Sequence, residues 1–173
     1  MALREVILTR KLCHAIDSKV ELGELKILVR EGAKVDGVIG YRPFLHAARI
    51  GYTEAMKFLH EEGAKVDQWG IMRRPGGFGY TQAIHFATFS RDVNSTKFLL
   101  DAKADINARI LGFYGYLDPD TLNGRVMFSA SPVQLAFVDN RSIGNLGKQL
   151  TVRDLLLERV EWDMALKDLA RFF

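Results

Sequence analysis

The chain has 173 residues, of which 48% are apolar and 26% charged, a composition typical of a folded domain and not of a disordered chain. At this length one domain can bury roughly 70% of the surface of its unfolded chain. The net charge of +3, from 24 basic and 21 acidic residues, is too small to predict nucleic-acid binding by itself.

The cellular location is predicted from cysteine content and apolar runs. Cys13 is the single cysteine, so no intramolecular disulfide can form, and a reducing compartment is expected. Charged residues interrupt the apolar residues of segment 1–11, which argues against a secretory signal peptide. No apolar run reaches the roughly 20 residues that cross a bilayer. We therefore expect a cytoplasmic protein without a membrane partner, located in its own cell or in the cytosol of a host cell.

A pattern of two short helices and a turn recurs along the chain, at about residues 9–36, 41–67, 81–107 and 131–163. The first segment has a degraded start and keeps Leu-Lys-Ile-Leu at 25–28 and Gly-Ala-Lys-Val-Asp at 32–36. A self-similar unit of about thirty residues is typical of a solenoid, in which each unit is buried by its neighbours.

The second segment carries the pattern most clearly. Pro43 fits the first position of a helix, where its missing N–H costs nothing. Phe44, Ala47 and Ala48 then follow at the spacing of one helix face, and the small alanines leave room for a neighbouring helix. Gly51 suits the left-handed turn that ends this helix.

The second helix of this segment is predicted to start at Thr53, whose hydroxyl can cap the free N–H groups of the first turn. Gly63 is placed to end it in another left-handed turn. The buried face of this helix is predicted to consist of Ala55, Met56, Phe58 and Leu59.

The third segment matches through Ile-His-Phe-Ala at 84–87, Phe-Leu-Leu at 98–100 and Ala-Asp-Ile-Asn at 104–107. Arg91 and Lys103 occupy the two positions where the second segment has glycine.

The fourth segment begins with Ser-Pro at 131–132 and regains the pattern only at Leu-Leu-Leu, 155–157. Residues 164–173 are predicted to form a closing helix, with Leu166, Leu169 and Ala170 facing inward. Degenerate end units are expected, because a terminal unit needs a polar outer face.

These segments resemble the ankyrin repeat, whose signature runs Thr-Pro-Leu-His-x-Ala, then Gly, then paired leucines, then Gly-Ala-Asp-x-Asn. The second segment departs from it at Arg42, where threonine is usual, and at Leu45-His46, where the family has His-Leu. The resemblance implies an all-α fold: an ankyrin-repeat α-solenoid of about four helix–turn–helix repeats with elongated finger loops and a C-terminal capping helix. The resemblance implies that residues 1–173 form a single domain.

Three insertions depart from the repeat, at residues 68–80, 108–130 and 141–149. The first two replace the finger, which is the short hairpin loop that joins consecutive repeats in this family. Long loops in compact domains are uncommon and are often functional. Aromatic and arginine side chains dominate binding hot spots, and these two insertions carry Trp69, Arg73, Arg74, Phe78, Tyr80, Phe113, Tyr114 and Tyr116.

In ankyrin proteins partners usually dock on the fingers and on the concave face formed by the first helices of the repeats. The resemblance therefore adds Tyr41, Arg49 and Phe89 to the predicted partner-binding residues, with Ile50 and Phe89 as half-exposed apolar groups. The alternative for the insertions is that their aromatic residues fold back as small satellite cores. The segment 73–77, which is cationic and poor in apolar residues, favours exposure.

The sequence offers little chemistry. The resemblance implies a structural role for His85, and the other histidines have no ligand partners at metal-binding spacing. The glycine run 76–79 lacks the Lys-Ser/Thr of a phosphate-binding loop and is interpreted as a flexible hinge. Arg73 and Arg74 are too few to predict nucleic-acid binding. No catalytic residue, metal or cofactor is therefore predicted.

The favoured hypothesis is a non-enzymatic module, monomeric on its own, that binds a partner protein through its concave face and extended fingers. A second hypothesis keeps this binding mode and makes the chain a bacterial effector, or an antagonist of immune or host factors, inside a host cell. A third places an enzyme site in the 108–130 insertion, formed by Asp118, Asp120 and Arg125 with a nearby histidine; Asp118-Pro119-Asp120 is more simply a turn.

Overall fold

The computed structural model describes residues 3–74, 77–115, 125–138, 152 and 154–159, with the side chains of 72–78, 111–130, 134 and 137–138 excepted. In these residues the helices are α1 (Leu3–Asp17), α2 (Leu22–Arg30), α3 (Pro43–Ile50), α4 (Thr53–Glu61), α5 (Ala83–Ser90), α6 (Val93–Asp101) and α7 (Pro132–Val138). The strands are β1 (Gly70–Arg74), β2 (Gly77–Thr81), β3 (Ile110–Gly115) and β4 (Arg125–Ala130). The chain is mostly helical, as the sequence predicts.

The helices pack in consecutive pairs, α1 with α2, α3 with α4, and α5 with α6. The first helices of the pairs also contact one another in chain order, from α1 through α3 and α5 to α7. The second helices do the same, from α2 through α4 to α6. Each described pair is therefore covered by the pair before it, the pair after it, or both.

Small residues set the close approach of these pairs. Ala47 and Ala48 of α3 and Ala83 and Ala87 of α5 are fully buried, and α3 and α5 contact one another. One apolar core runs from Leu8 in α1 to Leu156. Its largest fully buried apolar side chains include Phe44, Leu12, Ile16, Leu25, Met56, Leu59, Ile84 and Leu99.

At the ends of α3 and α4, the predicted proline and glycine signals are confirmed and the predicted threonine cap is not. Pro43 is the first residue of α3, and Gly51 ends it with a left-handed φ of 65°, both as predicted. Thr53 is the first residue of α4, and no side chain caps that helix. The predicted cap is therefore wrong. The Thr53 hydroxyl lies 2.9 Å from the hydroxyl of Ser95 and joins two neighbouring helix pairs.

Left-handed residues end the helices at equivalent places. Gly51 after α3 corresponds to Arg91 after α5, which has a φ of 55°. Gly63 after α4, with a φ of 96°, corresponds to Lys103 after α6, with a φ of 61°. The two non-glycine residues thus keep the glycine conformation, at the steric cost that a Cβ adds there.

Lys103→Gly is expected to raise the free energy of unfolding by about 0.5 kcal/mol. A left-handed side chain costs about 1–2 kcal/mol, and the extra freedom of glycine in the unfolded chain offsets about 0.5–1 kcal/mol of the gain. Lys97→Gly, the same substitution at an exposed site inside α6, should instead destabilise by about 1 kcal/mol. Urea unfolding measures both, and a shift of the two variants in the same direction would contradict the conformational argument.

The first two insertions form a sheet, where the sequence predicts elongated loops. The strand order is β1-β2-β3-β4, and all neighbours are antiparallel. The β1–β2 and β3–β4 hairpins belong to successive insertions, and β2 pairs with β3 from Gly77↔Tyr114 to Tyr80↔Leu111. The all-α expectation therefore holds for the helical body, and the predicted loops are corrected to strands. Gly77 and Gly79, interpreted as a hinge, lie inside β2.

Several predictions fall outside the described residues: the third insertion 141–149, the closing helix 164–173, and Tyr116. Val152 and Leu156 of the fourth segment are buried in the core. The division into repeats and the single-domain boundary stay predictions. None of the helices described has the length and apolar character needed to cross a membrane.

Candidate functional site

A groove of about 460 Å³ lies between the turn that connects α2 to α3 and the start of β1. We call residues 37–41 the first connecting turn. Helices α3 and α5 supply the floor of the groove. The groove is lined by Gly40, Arg42, Leu45, His46, Arg49, Gly70, Ile71 and Phe86.

The first connecting turn holds one side of the groove in a fixed shape. Val38 and Tyr41 exchange both backbone hydrogen bonds, with N–O distances of 2.9 and 3.0 Å. Gly37 and Gly40 take φ values of 82° and 83°, which residues with a side chain rarely adopt. This closed turn presents Ile39, whose side chain is 88% exposed, next to the groove.

The opposite side is formed by β1, which lies close against α3. A Cβ atom added to Gly70 would overlap the side chain of Leu45, so glycine permits this close approach. Ile71 follows with 57% exposure, and Trp69 precedes with 43%. Both sides of the groove therefore carry exposed apolar side chains, which a partner could cover.

The charged side chains in the described lining of the groove are two arginines. Arg49 Nη2 donates to Asp17 Oδ1 at 2.9 Å, and His46 Nδ1 lies 3.0 Å from both oxygens of that carboxylate. Arg42 Nη1 donates to the backbone oxygen of Asp36 at 3.0 Å. A guanidinium has five N–H donors, so these contacts leave donors on both arginines for a ligand.

Three of the predicted partner-binding residues lie at this groove or beside it. Arg49 lines it, and its side chain is 52% exposed. Tyr41 closes the first connecting turn and is half-buried. Trp69 adjoins Gly70 at the rim.

The sheet brings together most of the predicted residues of the insertions. The register pairs Arg73 with Phe78 and Phe78 with Phe113 in one cross-strand row. A second cross-strand row lies two residues along each strand and consists of positions 71, 80 and 111. Because side chains alternate along a strand, this row is on the same face of the sheet as the first. Tyr80 in that row is 43% exposed. The register therefore groups Arg73, Phe78, Tyr80 and Phe113 on one face, and Arg74 and Tyr114 on the other.

Phe89 lies apart from the groove lining. It is half-buried and packs against the buried residues Ile110 and Leu135, which form a small second core under the sheet. None of these three is an aromatic residue of an insertion, so the alternative of aromatic satellite cores in the insertions stays a prediction. Ile50 is also half-buried and packs against the main core.

Of the eight residues that line the groove, sequence reasoning found only Arg49 and missed the other seven, among them Arg42, His46, Ile71 and Phe86. A signal existed for two of them, because Arg42, His46 and Arg49 follow the i, i+4, i+7 spacing of a single helix face. Ile71 and Phe86 reach the groove through the packing of β1 and α5, which no local pattern reveals.

The most buried titratable groups have structural roles. The Gln82 N–H donates to His85 Nδ1 at 3.1 Å, and His85 Nε2 donates to the Ala108 oxygen at 2.9 Å. This fixes the neutral tautomer, and burial lowers the pKa of His85, partly opposed by the hydrogen bond to the Ala108 oxygen. Burial, with a smaller effect of Asp17, raises the pKa of the Cys13 thiol to about 12. A protonated, buried thiol is a poor nucleophile.

Metal binding finds no support in the described part of the chain, which has no cluster of three His, Cys, Asp or Glu side chains suited to an ion. Of the residues in the enzyme hypothesis, Asp118 and Asp120 lie outside the described residues. Arg125 begins β4 opposite Gly115.

In comparisons with known proteins, the chain matches no protein-family model and no curated protein.

Proposed function

We propose that the chain is an ankyrin-repeat solenoid acting as a non-enzymatic module that binds a partner protein. The partner would dock in the groove beside the first connecting turn and on the exposed face of the sheet. The observation that carries this proposal is the exposed, cationic and apolar groove between two rigid elements.

The repeat part of the proposal is supported by a ladder of hydrogen bonds between equivalent loop positions. The Lys65 N–H donates to Asp36 Oδ1, and the Asp105 N–H donates to Asp67 Oδ1, each at 3.0 Å. One step earlier, the Lys34 N–H donates to the hydroxyl of Thr9 at 2.9 Å. The aspartate that ends one unit thus binds the backbone of the next, as expected for stacked copies of one motif.

The binding part is supported by preorganisation. The groove is flanked by a hydrogen-bonded turn and a sheet strand, and its floor is formed by packed helices. A partner would therefore meet a surface that loses little conformational entropy on association. Trp69 and Tyr80 are amphipathic aromatic side chains with partial exposure, the type that dominates binding energies.

The proposal is tested by replacing Trp69 and Tyr80 together with alanine. We expect the double variant to capture at least about tenfold less of the proteins that the wild type captures from cell extract, because aromatic anchors each contribute about 2 kcal/mol or more. Its melting temperature should stay within about 4 °C of the wild type, because exposed side chains contribute little to folding.

Lys57→Ala with Glu61→Ala, at exposed sites on α4, is the matched control and should capture as the wild type does. Quantitative mass spectrometry of the captured proteins reads the result. Identical capture by all three proteins would refute binding through this surface.

A further inference from the structure

The groove adjoins a sheet edge with open hydrogen-bonding positions. In the described part of the chain, β1 is the first strand of the sheet and pairs with β2 on one side only. Alternate residues of an edge strand direct their N–H and C=O groups away from the sheet. Gly70 and Ile71, at the start of this edge, line the groove.

The groove beside this edge has the volume of a ligand site. It is bounded across the groove by Gly40 of the first connecting turn, whose Val38 and Tyr41 already satisfy each other. A volume of about 460 Å³ lies within the usual range of ligand sites, roughly 300–1,000 Å³. A five-residue strand such as β1 spans about 17 Å, so it can pair with a peptide of about five residues.

The charge of the groove selects the kind of peptide. Its described lining contains Arg42, Arg49 and His46 and no acidic residue. Asp17, which contacts Arg49 and His46 from α1, offsets one positive charge. The carboxylate of Asp36 binds the Lys65 N–H and Gln68 Nε2 of the following loop, while Arg42 binds its backbone oxygen. Both charged side chains in the described lining are therefore cationic, and the Asp17 carboxylate pairs with only one of them, Arg49.

We infer that the groove binds an extended acidic segment of the partner, which adds to β1 as a fifth strand and places carboxylates against Arg42 and Arg49. Main-chain hydrogen bonds to the edge supply affinity, and the two guanidinium groups supply specificity, as in other cases of strand addition. Because side chains of a strand alternate, the acidic residues that face the floor occupy every second position. This inference rests on the proposed function and specifies its ligand.

Fluorescence polarisation with a labelled peptide, Gly-Glu-Val-Glu-Val-Glu-Gly, tests the inference. We expect measurable binding to the wild-type chain and at least about tenfold weaker binding to the double variant Arg42→Glu, Arg49→Glu, because reversing two contacting charges removes attraction and adds repulsion. The matched control Lys57→Glu, Lys97→Glu makes the same change in net charge at exposed sites on α4 and α6. It should bind the peptide as the wild type does.

Three further peptides test the role of peptide charge and the role of backbone pairing separately. The lysine analogue Gly-Lys-Val-Lys-Val-Lys-Gly should bind at least about tenfold more weakly than the glutamate peptide. Two forms of the glutamate peptide, N-methylated on one or the other alternating set of residues, show whether backbone pairing occurs. The form methylated on the residues that face β1 should lose binding, and the other should keep it.

An equal loss of glutamate-peptide binding in the Arg42→Glu, Arg49→Glu variant and in its lysine control would refute the groove as the binding site. Equal binding of the glutamate and lysine peptides would refute the acidic ligand. Unchanged binding of both methylated forms would refute strand addition. If the glutamate peptide fails to bind while Trp69 and Tyr80 still control capture of a partner, this inference fails and the proposed function stands. If both experiments fail, both proposals fail.

Discussion

Replacing His85 with leucine is expected to lower the free energy of unfolding by about 3 kcal/mol, the range for leaving two buried polar groups unpaired. The ring is fully buried and joins the backbone of Gln82 to that of Ala108, so leucine fills a similar volume but satisfies neither group. For a chain of this size the melting temperature should fall by about 6–12 °C. Thermal unfolding followed by circular dichroism measures the change.

The same variant should alter the pH dependence of stability. Burial lowers the pKa of His85 in the folded chain, so the unfolded chain binds a proton near pH 6.5 while the folded chain binds it only at lower pH. The free energy of unfolding therefore decreases as pH falls through about 6.5 and towards the folded pKa. His85→Leu should flatten this slope below about pH 7.

His14→Gln is the control for the melting temperature, because His14 is exposed on α1. It should keep a melting temperature close to that of the wild type. A His85 variant that unfolds like the wild type at every pH would show that the ring contributes nothing to the fold.

Gly37→Ala is the second substitution with a large expected effect, a loss of about 3 kcal/mol from combined backbone strain and overlap. Gly37 has a φ of 82°, and a Cβ atom there would overlap the backbone oxygen of Tyr41 and approach Cα of Arg42 to 3.1 Å. The first connecting turn must open to admit the methyl group. Urea unfolding and the amide exchange rate of Tyr41 measure the effect.

Gly40→Ala separates the two causes. Gly40 has nearly the same φ, 83°, but a Cβ atom there would meet nothing within 4 Å. It should cost only about 1 kcal/mol, the strain of a left-handed alanine. Equal costs at the two positions would mean that strain alone accounts for the loss, and that the overlap at Gly37 is relieved without opening the turn.

The helical part of this fold could be predicted because its signals are local. Pro43 and Gly51 bracket α3 at the predicted residues, since each acts through its own backbone geometry. Ala47 and Ala48 are fully buried where α3 contacts α5, and the sequence predicts that their small side chains leave room for a neighbouring helix. The Thr53 cap failed because the helix begins one residue earlier than a threonine cap requires, with Tyr52 at the N-cap position, and the Thr53 hydroxyl contacts Ser95 instead.

The sheet could not be predicted in the same way. Pairing of β2 with β3 joins residues 77–80 to residues 111–114, across two intervening helices. Glycine at positions 77, 79 and 112 lowers the local preference for strands, so the pairing depends on the helices that bring both hairpins side by side. Residues of the candidate groove divide similarly: Arg49 follows from its helix, whereas Phe86 and Ile71 reach it only through tertiary packing.

The ladder between β2 and β3 has a mechanical consequence for the helices between them. The chain leaves the sheet at Thr81, forms α5 and α6, and re-enters the sheet at Ile110. Those helices thus lie within a ring that is part covalent and part hydrogen-bonded. Tension or fraying that starts at one terminus must break the hydrogen bonds between β2 and β3 before it can open this ring. This pairing therefore adds resistance to stretching between residues 77 and 114.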